Sequence, residues 1–170
     1  MTTRIIIVLT VVSLWGKGDV GAQDPWTAEE RSKGYVVFEH STMQNLAQDY
    51  VPDPHAVAQH VSCSMAQNEY ESIQLGVHSL ASDLTSLQMR VETDLNVTIY
   101  HRIDPEIKEQ LGTFSPKEGE LSSWTPSELH LQRGNTFAQL PVGESVNFWL
   151  TFHADSDTIE GVYPGKIRIQ

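Results

Sequence analysis

The acidic side chains are the first candidates for chemistry in this chain. Glu69 and Glu71 lie two residues apart where a polar turn meets an alternating segment, and Asp155 and Asp157 lie two apart in a later loop. Glycoside hydrolysis uses two carboxylates about 5–9.5 Å apart, and one strand face could hold Glu69 and Glu71 together. A turn cap and an ion pair are simpler roles for these glutamates, and we favour them. The Asp155–Asp157 pair lacks the further oxygens and the glycine of a calcium loop.

Other catalytic and metal-binding signatures are missing from the sequence. The seven histidines show neither a His-x-x-x-His nor a His-Glu-x-x-His spacing. Cys63 is the single cysteine and stands in an alternating apolar segment, which favours a buried, inert thiol. There is no glycine-rich phosphate loop and no Gly-x-Ser-x-Gly motif. We therefore predict no catalytic residue, no metal site and no cofactor, and we expect that this chain is not an enzyme.

Aromatic side chains offer a different chemistry, because the C–H faces of sugar rings stack on Trp and Tyr. Trp124 lies in a long irregular segment, where its ring can be exposed. Trp149 alternates out of an apolar row, and Tyr70 and Tyr100 occupy strand positions that face away from the aliphatic side chains. These four residues are the candidates for binding carbohydrate or a neighbouring domain. Ordinary packing within the domain is the alternative for each.

The elements that carry these residues are predicted to be β-strands. Four consecutive segments between residues 57 and 103 alternate apolar and polar side chains with a period of two, and the alternation returns at residues 146–152. Short polar turns separate them, which is typical of a sandwich. We predict an all-β fold, an antiparallel two-sheet β-sandwich of immunoglobulin-like or jelly-roll-like type over residues 35–170. Residues 104–140 lose the pattern and are predicted to form one long irregular loop.

The N-terminal 22 residues have the features of a secretory signal peptide. Arg4 precedes an apolar run from Ile5 to Trp15, and Val20 and Ala22 are small residues at the −3 and −1 positions of a cleavage site. The run is too short for a membrane-spanning helix. A buried strand and an uncleaved anchor are the alternatives. Residues 23–34 are predicted to be a polar leader, and the location is expected to be secreted, periplasmic or extracellular.

The charge balance limits the partners. Eleven basic residues stand against 22 acidic ones, a net charge of −11. Such a surface repels nucleic acid and anionic lipid, and we expect neither as a partner. No integral membrane span is expected.

Three segments together resemble a known family. They are NEYESIQL at residues 68–75, VNFWLTF at residues 146–152 and GVYPGKIRI at residues 161–169. In order and spacing they are similar to motifs of the N-terminal β-sandwich domain in proteins related to glycoside hydrolase family 123. The sequence departs from that pattern before the second motif, where WTPSEL at residues 124–129 replaces a Pro-Asp-Pro-Leu-like segment.

The resemblance implies a position in a larger protein rather than an activity of this chain. In that family the sandwich precedes a barrel that carries the catalytic carboxylates, with β-N-acetylgalactosaminidase activity in the founding members, so no catalytic residue is assigned here. It implies a non-catalytic accessory domain of a secreted glycoside-hydrolase-like protein, packed on a downstream catalytic barrel. The chain would then be the N-terminal part of a longer polypeptide. A stand-alone carbohydrate-binding module and a cell-surface structural or adhesion sandwich are the alternatives.

Overall fold

A computed structural model of the chain describes residues 5–13, 25–42, 46–102 and 131–170. These residues form two five-stranded sheets that pack face to face, so the prediction of an all-β sandwich is confirmed. The strands are β1 Ile5–Ser13, β2 Tyr35–His40, β3 His60–Met65, β4 Tyr70–Ser79, β5 Leu84–Glu92, β6 Asn96–Arg102, β7 Leu131–Arg133, β8 Thr136–Leu140, β9 Ser145–His153 and β10 Gly161–Ile169. A short helix α1, Ala28–Lys33, precedes β2, and a single 3-10 turn, Pro54–Ala56, precedes β3.

The strand order separates the two sheets. Sheet I has the order β3-β1-β10-β5-β8, and sheet II has the order β2-β4-β9-β6-β7. The pairing of β1 with β10 is parallel, and the other strand pairs among the described residues are antiparallel.

The core lies between the sheets and is built from the alternating apolar rows. Strand β9 shows this alternation most clearly, because its inward side chains are fully buried: Val146, Phe148, Leu150 and Phe152. Each such side chain contributes about 1.5–3 kcal/mol through removal from water. The partner rows come from β4 and from sheet I: Leu75, Val77, Met89, Ile167 and Ile169.

Helix α1 lies within the segment that the sequence predicted to be a polar leader. The Thr27 hydroxyl accepts from the Glu30 amide while the Glu30 carboxylate accepts from the Thr27 amide, and Gly34 ends the helix at φ 80°. This capping box is present in the sequence as Thr-x-x-Glu. The prediction missed the helix because no apolar periodicity accompanies the caps.

Two strands lie inside the segment predicted to be one long loop. Strands β7 and β8 pair with β6 and β5, so residues 131–133 and 136–140 are not part of a loop, and residues 104–130 of the predicted loop lie outside the described residues. They are three and five residues long. Runs this short carry too little alternation to be recognised from the sequence.

The apolar run near the N-terminus forms strand β1 in the middle of sheet I. Ile5, Ile7 and Leu9 are fully buried there. Residues 5–13 of the segment predicted to be a signal peptide therefore form the structure that we named as an alternative, a buried strand. Cleavage after Ala22 stays a prediction.

Candidate functional site

One row of side chains crosses all five strands of sheet II on the face away from the core. Strand pairing places His40 opposite Gln74, Gln74 opposite Trp149, Trp149 opposite Tyr100 and Tyr100 opposite Arg133. We call these five residues the outer row. Side chains at paired positions on one face are neighbours. The row therefore joins two large aromatic rings to an amide, an imidazole and an exposed guanidinium.

Two amides on this outer face are buried without partners. Gln74 is 1% exposed and Asn147 is 3% exposed. Both amide atoms of Gln74, and the Asn147 Oδ1, make no hydrogen bond within the part of the chain that the structure describes. Buried polar side chains are nearly always hydrogen-bonded, and an exception needs an explanation. Because these atoms are buried within the chain itself, the two amides belong to the packing around Trp149 and are not groups that a surface partner can reach.

The outer row ends on one side at a small aromatic cluster on edge strand β2. The His40 ring packs edge-on against Tyr50, with ring centres 5.4 Å apart, and Phe38 lies 5.6 Å from Tyr50. Burial lowers the pKa of His40, so the neutral imidazole predominates. Its Nε2 atom is buried and has no hydrogen-bond partner. His40 thus resembles Gln74 in having an unused polar atom.

A cleft opens beside His40. Its volume is about 510 Å³, and two further histidines, His55 and His60, line it together with Glu39 and Ser41. Among the described residues, no group of three or more His, Cys, Asp or Glu side chains could hold a metal ion. The cleft therefore adds a pocket with several polar side chains to the edge of the outer face.

A stacked pair of rings lies at the N-terminal end of β4. Tyr70, which is 68% exposed, stacks on His153 with ring centres 4.0 Å apart and an interplanar angle of 10°. Asp155 fixes His153, because its carboxylate lies 2.9 Å from His153 Nδ1 and also accepts from the Asn96 amide. The result is an exposed, flat aromatic pair held in place by a carboxylate.

His78 is a buried titratable group on the outer face of sheet II. Ser145 Oγ donates to the Tyr50 carbonyl at 2.7 Å and lies 2.9 Å from His78 Nδ1. Because the serine hydrogen is used for Tyr50, His78 Nδ1 is the donor to Ser145. Burial lowers the pKa of His78, and a hydrogen bond to the Tyr50 backbone partly opposes the shift. His78 is a neutral structural link between β4, β9 and the loop of Tyr50.

One carboxylate of each predicted pair, Glu69 and Asp155, has a structural role in the folded chain. Glu69 accepts from the Ala66 amide at 2.9 Å, as expected of a turn cap. Glu71 lies near Cys63 and helps to raise the pKa of that thiol, whose main cause is burial, to about 11. Both oxygens of Asp155 are engaged with His153 and Asn96. None of these groups converges on a common pocket within the described residues.

The structure places three of the four aromatic candidates on one face. Trp149 and Tyr100 are direct neighbours in the outer row, and Tyr70 lies on the same face of sheet II. Trp124 lies outside the described residues. The sequence did not single out Gln74, Asn147 or His40. The period of two shows that Gln74 and Asn147 face away from the core. Their burial depends on segments that are distant in the chain, so the local sequence does not indicate it.

Comparison with known proteins gives a loose likeness in structure alone. No protein-family model matches the chain, and no curated protein matches it. The solved structure of a family 123 glycoside hydrolase from Clostridium perfringens, described as an enzyme of glycolipid glycan hydrolysis, is similar at a TM-score of 0.39 and 9% identity. The match covers 61% of this chain and 18% of that chain. In the described part of this chain, no helix is both long and apolar enough to cross a membrane.

Proposed function

We propose that this chain is a non-catalytic accessory sandwich of a secreted glycoside-hydrolase-like protein, and that the outer row is the face that packs on a neighbouring catalytic domain. The observation that carries the proposal is the pair Trp149 and Tyr100, two partly exposed rings that are neighbours on the outer face of sheet II. Trp and Tyr are enriched at protein interfaces, where an apolar ring and a polar tip are both useful. The three motifs similar to family 123 proteins suggest the kind of neighbour.

The two rings favour contact with another surface over open solvent. Trp149 and Tyr100 are only partly buried by the described residues, and covering their apolar surface contributes about 25 cal/mol per Å². A neighbouring domain that packs on the outer row would bury both rings at once.

Oxidative footprinting tests the domain contact. The longest reading frame that contains this chain is expressed beside residues 1–170 alone, and hydroxyl-radical oxidation of each aromatic residue is measured by mass spectrometry. Trp149 and Tyr100 should be protected several-fold in the longer protein. Tyr163, on sheet I, is the control and should be oxidised equally in both. Equal oxidation of Trp149, or a reading frame that stops at Gln170, would contradict the accessory role.

A second candidate is carbohydrate binding by the same face. The specific observation in its favour is the neighbouring pair of aromatic rings, Trp149 and Tyr100, because sugar rings stack on such side chains. The exposed Tyr70–His153 stack offers a further flat surface. This function needs no second domain.

A glycan-array and affinity-gel experiment separates the two candidates. Carbohydrate binding predicts that the isolated chain binds at least one glycan and that Tyr100→Ala weakens binding more than tenfold. Tyr163→Ala is the matched control on the other sheet. The accessory role predicts no glycan binding by the isolated chain and no hydrolysis of aryl N-acetylgalactosaminides.

A further inference from the structure

Strand β1 holds sheet I together. It pairs along its whole length with β10 and antiparallel with β3 from Ile5 to Thr10. Among the described strands, β3 has no neighbour in sheet I other than β1. The part of β10 that pairs with β5 begins at Lys166, so within the described residues Gly161–Gly165 has β1 as its one sheet partner.

The space that β1 fills is shaped for an alternating strand. Ile5, Ile7 and Leu9 point into the core and are fully buried, whereas Ile6 and Val8 point outward and are 41% and 39% exposed. Gly165 lies opposite Leu9, and a Cβ added to it would lie 2.4 Å from Leu9 Cδ2. The missing side chain at Gly165 therefore makes the room that the Leu9 side chain occupies.

The same nine residues lie within the predicted signal peptide. Cleavage after Ala22 would remove β1 and leave three inward positions of the core uncovered. It would also leave the edges of β3 and β10 without partners, and unpaired edges readily accept another strand.

We propose that the gap between β3 and β10 is a strand-acceptor slot, which β1 fills in the unprocessed chain and an extended strand of a separate polypeptide fills after cleavage at Ala22. This inference rests on that cleavage and not on the proposed function of the outer row, which lies on the other sheet. Strand addition of this kind gains affinity from main-chain hydrogen bonds and specificity from alternate side chains.

The occupant can be specified from the strand that fills the slot. It is an extended segment of about nine residues that runs parallel to β10 and antiparallel to β3. It has apolar side chains at three alternate positions, with a branched aliphatic residue over Gly165. Its outward positions tolerate polar residues, because Ser62 and Ser64 of β3 flank them and are exposed.

Strand exchange in the full chain tests the slot. A site-specific protease sequence replaces residues 20–23, and the folded protein is cut, unfolded in urea and refolded with a labelled peptide of residues 4–13 in excess. The peptide should co-elute with the large fragment at a ratio near one to one. A peptide with Leu9→Asp should bind about 100-fold more weakly, because it buries an unpaired charge. A peptide with Val8→Asp is the matched control and should bind with little loss.

Other results would overturn the proposal. If the large fragment refolds without peptide and melts at the temperature of the uncut protein, it does not need a strand in the slot. If the three peptides bind equally well, the slot has no defined register. A second variant keeps the test valid if the cut protein refolds poorly. The uncut Leu9→Asp protein should melt several degrees lower than the unmutated protein, and the unlabelled peptide should restore the melting temperature. Failure of the peptide to restore it counts against the slot. Intact mass of the protein secreted by a eukaryotic or bacterial host should correspond to residues 23–170, and retention of β1 would contradict the inference.

Discussion

Gly76 illustrates a position where a single hydrogen atom decides the packing. It lies on β4 opposite Phe38, and a Cβ added to it would lie 2.0 Å from the Phe38 Cζ. The Phe38 ring is fully buried and therefore has no free space into which it can turn. The Phe38 ring thus packs directly on the backbone of Gly76, on the outer face of sheet II.

We predict that Gly76→Ala destabilises the domain by about 1–3 kcal/mol, the usual cost of overpacking a core. Gly161→Ala is the control, because an added Cβ there has no atom within 4 Å. It should change stability by less than about 0.5 kcal/mol. Thermal unfolding followed by circular dichroism measures both variants. A neutral Gly76→Ala would mean that Phe38 does not pack on this backbone.

Cys63 is predicted to be unreactive in the folded protein. Burial raises the pKa of its thiol to about 11, and the thiolate is the reactive form. At pH 8 only about one thiol in a thousand is ionised, as follows from that pKa. The rate of modification by a disulfide reagent should therefore be far lower in the folded chain than in urea. Similar rates in the two states would place Cys63 in an exposed or mobile position.

At the scale of the element, β9 joins the core to the candidate binding face. Its inward residues fill the interior, and its outward residue Trp149 lies in the outer row between Gln74 and Tyr100. The strand pairs with β4 on one side and β6 on the other, so it is central in sheet II. One strand therefore supplies part of the core on one face and a ring of the candidate binding face on the other.

Adjacent substitutions in β9 should separate these two roles. Phe148→Ala removes a fully buried ring and is predicted to cost about 3–5 kcal/mol. Trp149→Ala removes a partly exposed ring on the outer face and is predicted to cost about 1 kcal/mol. Urea unfolding gives both values. Equal losses would indicate that Trp149 belongs to the interior of the domain rather than to a surface available for a partner.

At the scale of the whole molecule, the shifted pKa values define a pH range of stability. Burial lowers the pKa values of His40 and His78 below 6.5, so the unfolded chain binds more protons than the folded one as the pH falls below 6.5. Stability therefore decreases on acidification. The pKa of Cys63 is raised from 9.0 to about 11, so the unfolded chain loses its thiol proton first and stability decreases as the pH rises above 9.

We predict a plateau of stability between about pH 6.5 and 9, the limits given by these unfolded-state pKa values. Urea midpoints measured from pH 5 to 11 test the prediction. His78→Gln should flatten the acid side, and Cys63→Ala should flatten the alkaline side, each relative to its own plateau. A midpoint that rises from pH 7 to pH 5 would contradict the direction assigned to the histidines.

The sequence by itself determined which side chains face the core and which face away. A strand has a period of two, so the alternation of Ile73, Leu75 and Val77 with polar residues predicts both a strand and its buried face. The same local rule placed Tyr70, Tyr100 and Trp149 outward before any pairing was known. The sandwich class follows as well, because several half-apolar strands can bury their rows only against a second sheet.

The tertiary structure alone decided which of those strands are neighbours. Tyr100 and Trp149 are 49 residues apart, and only the pairing of β6 with β9 brings them together. The burial of Gln74 and the position of β1 between β3 and β10 are long-range in the same way. A local pattern specifies the direction of a side chain, whereas the identity of its neighbour depends on contacts between segments that are distant in the chain.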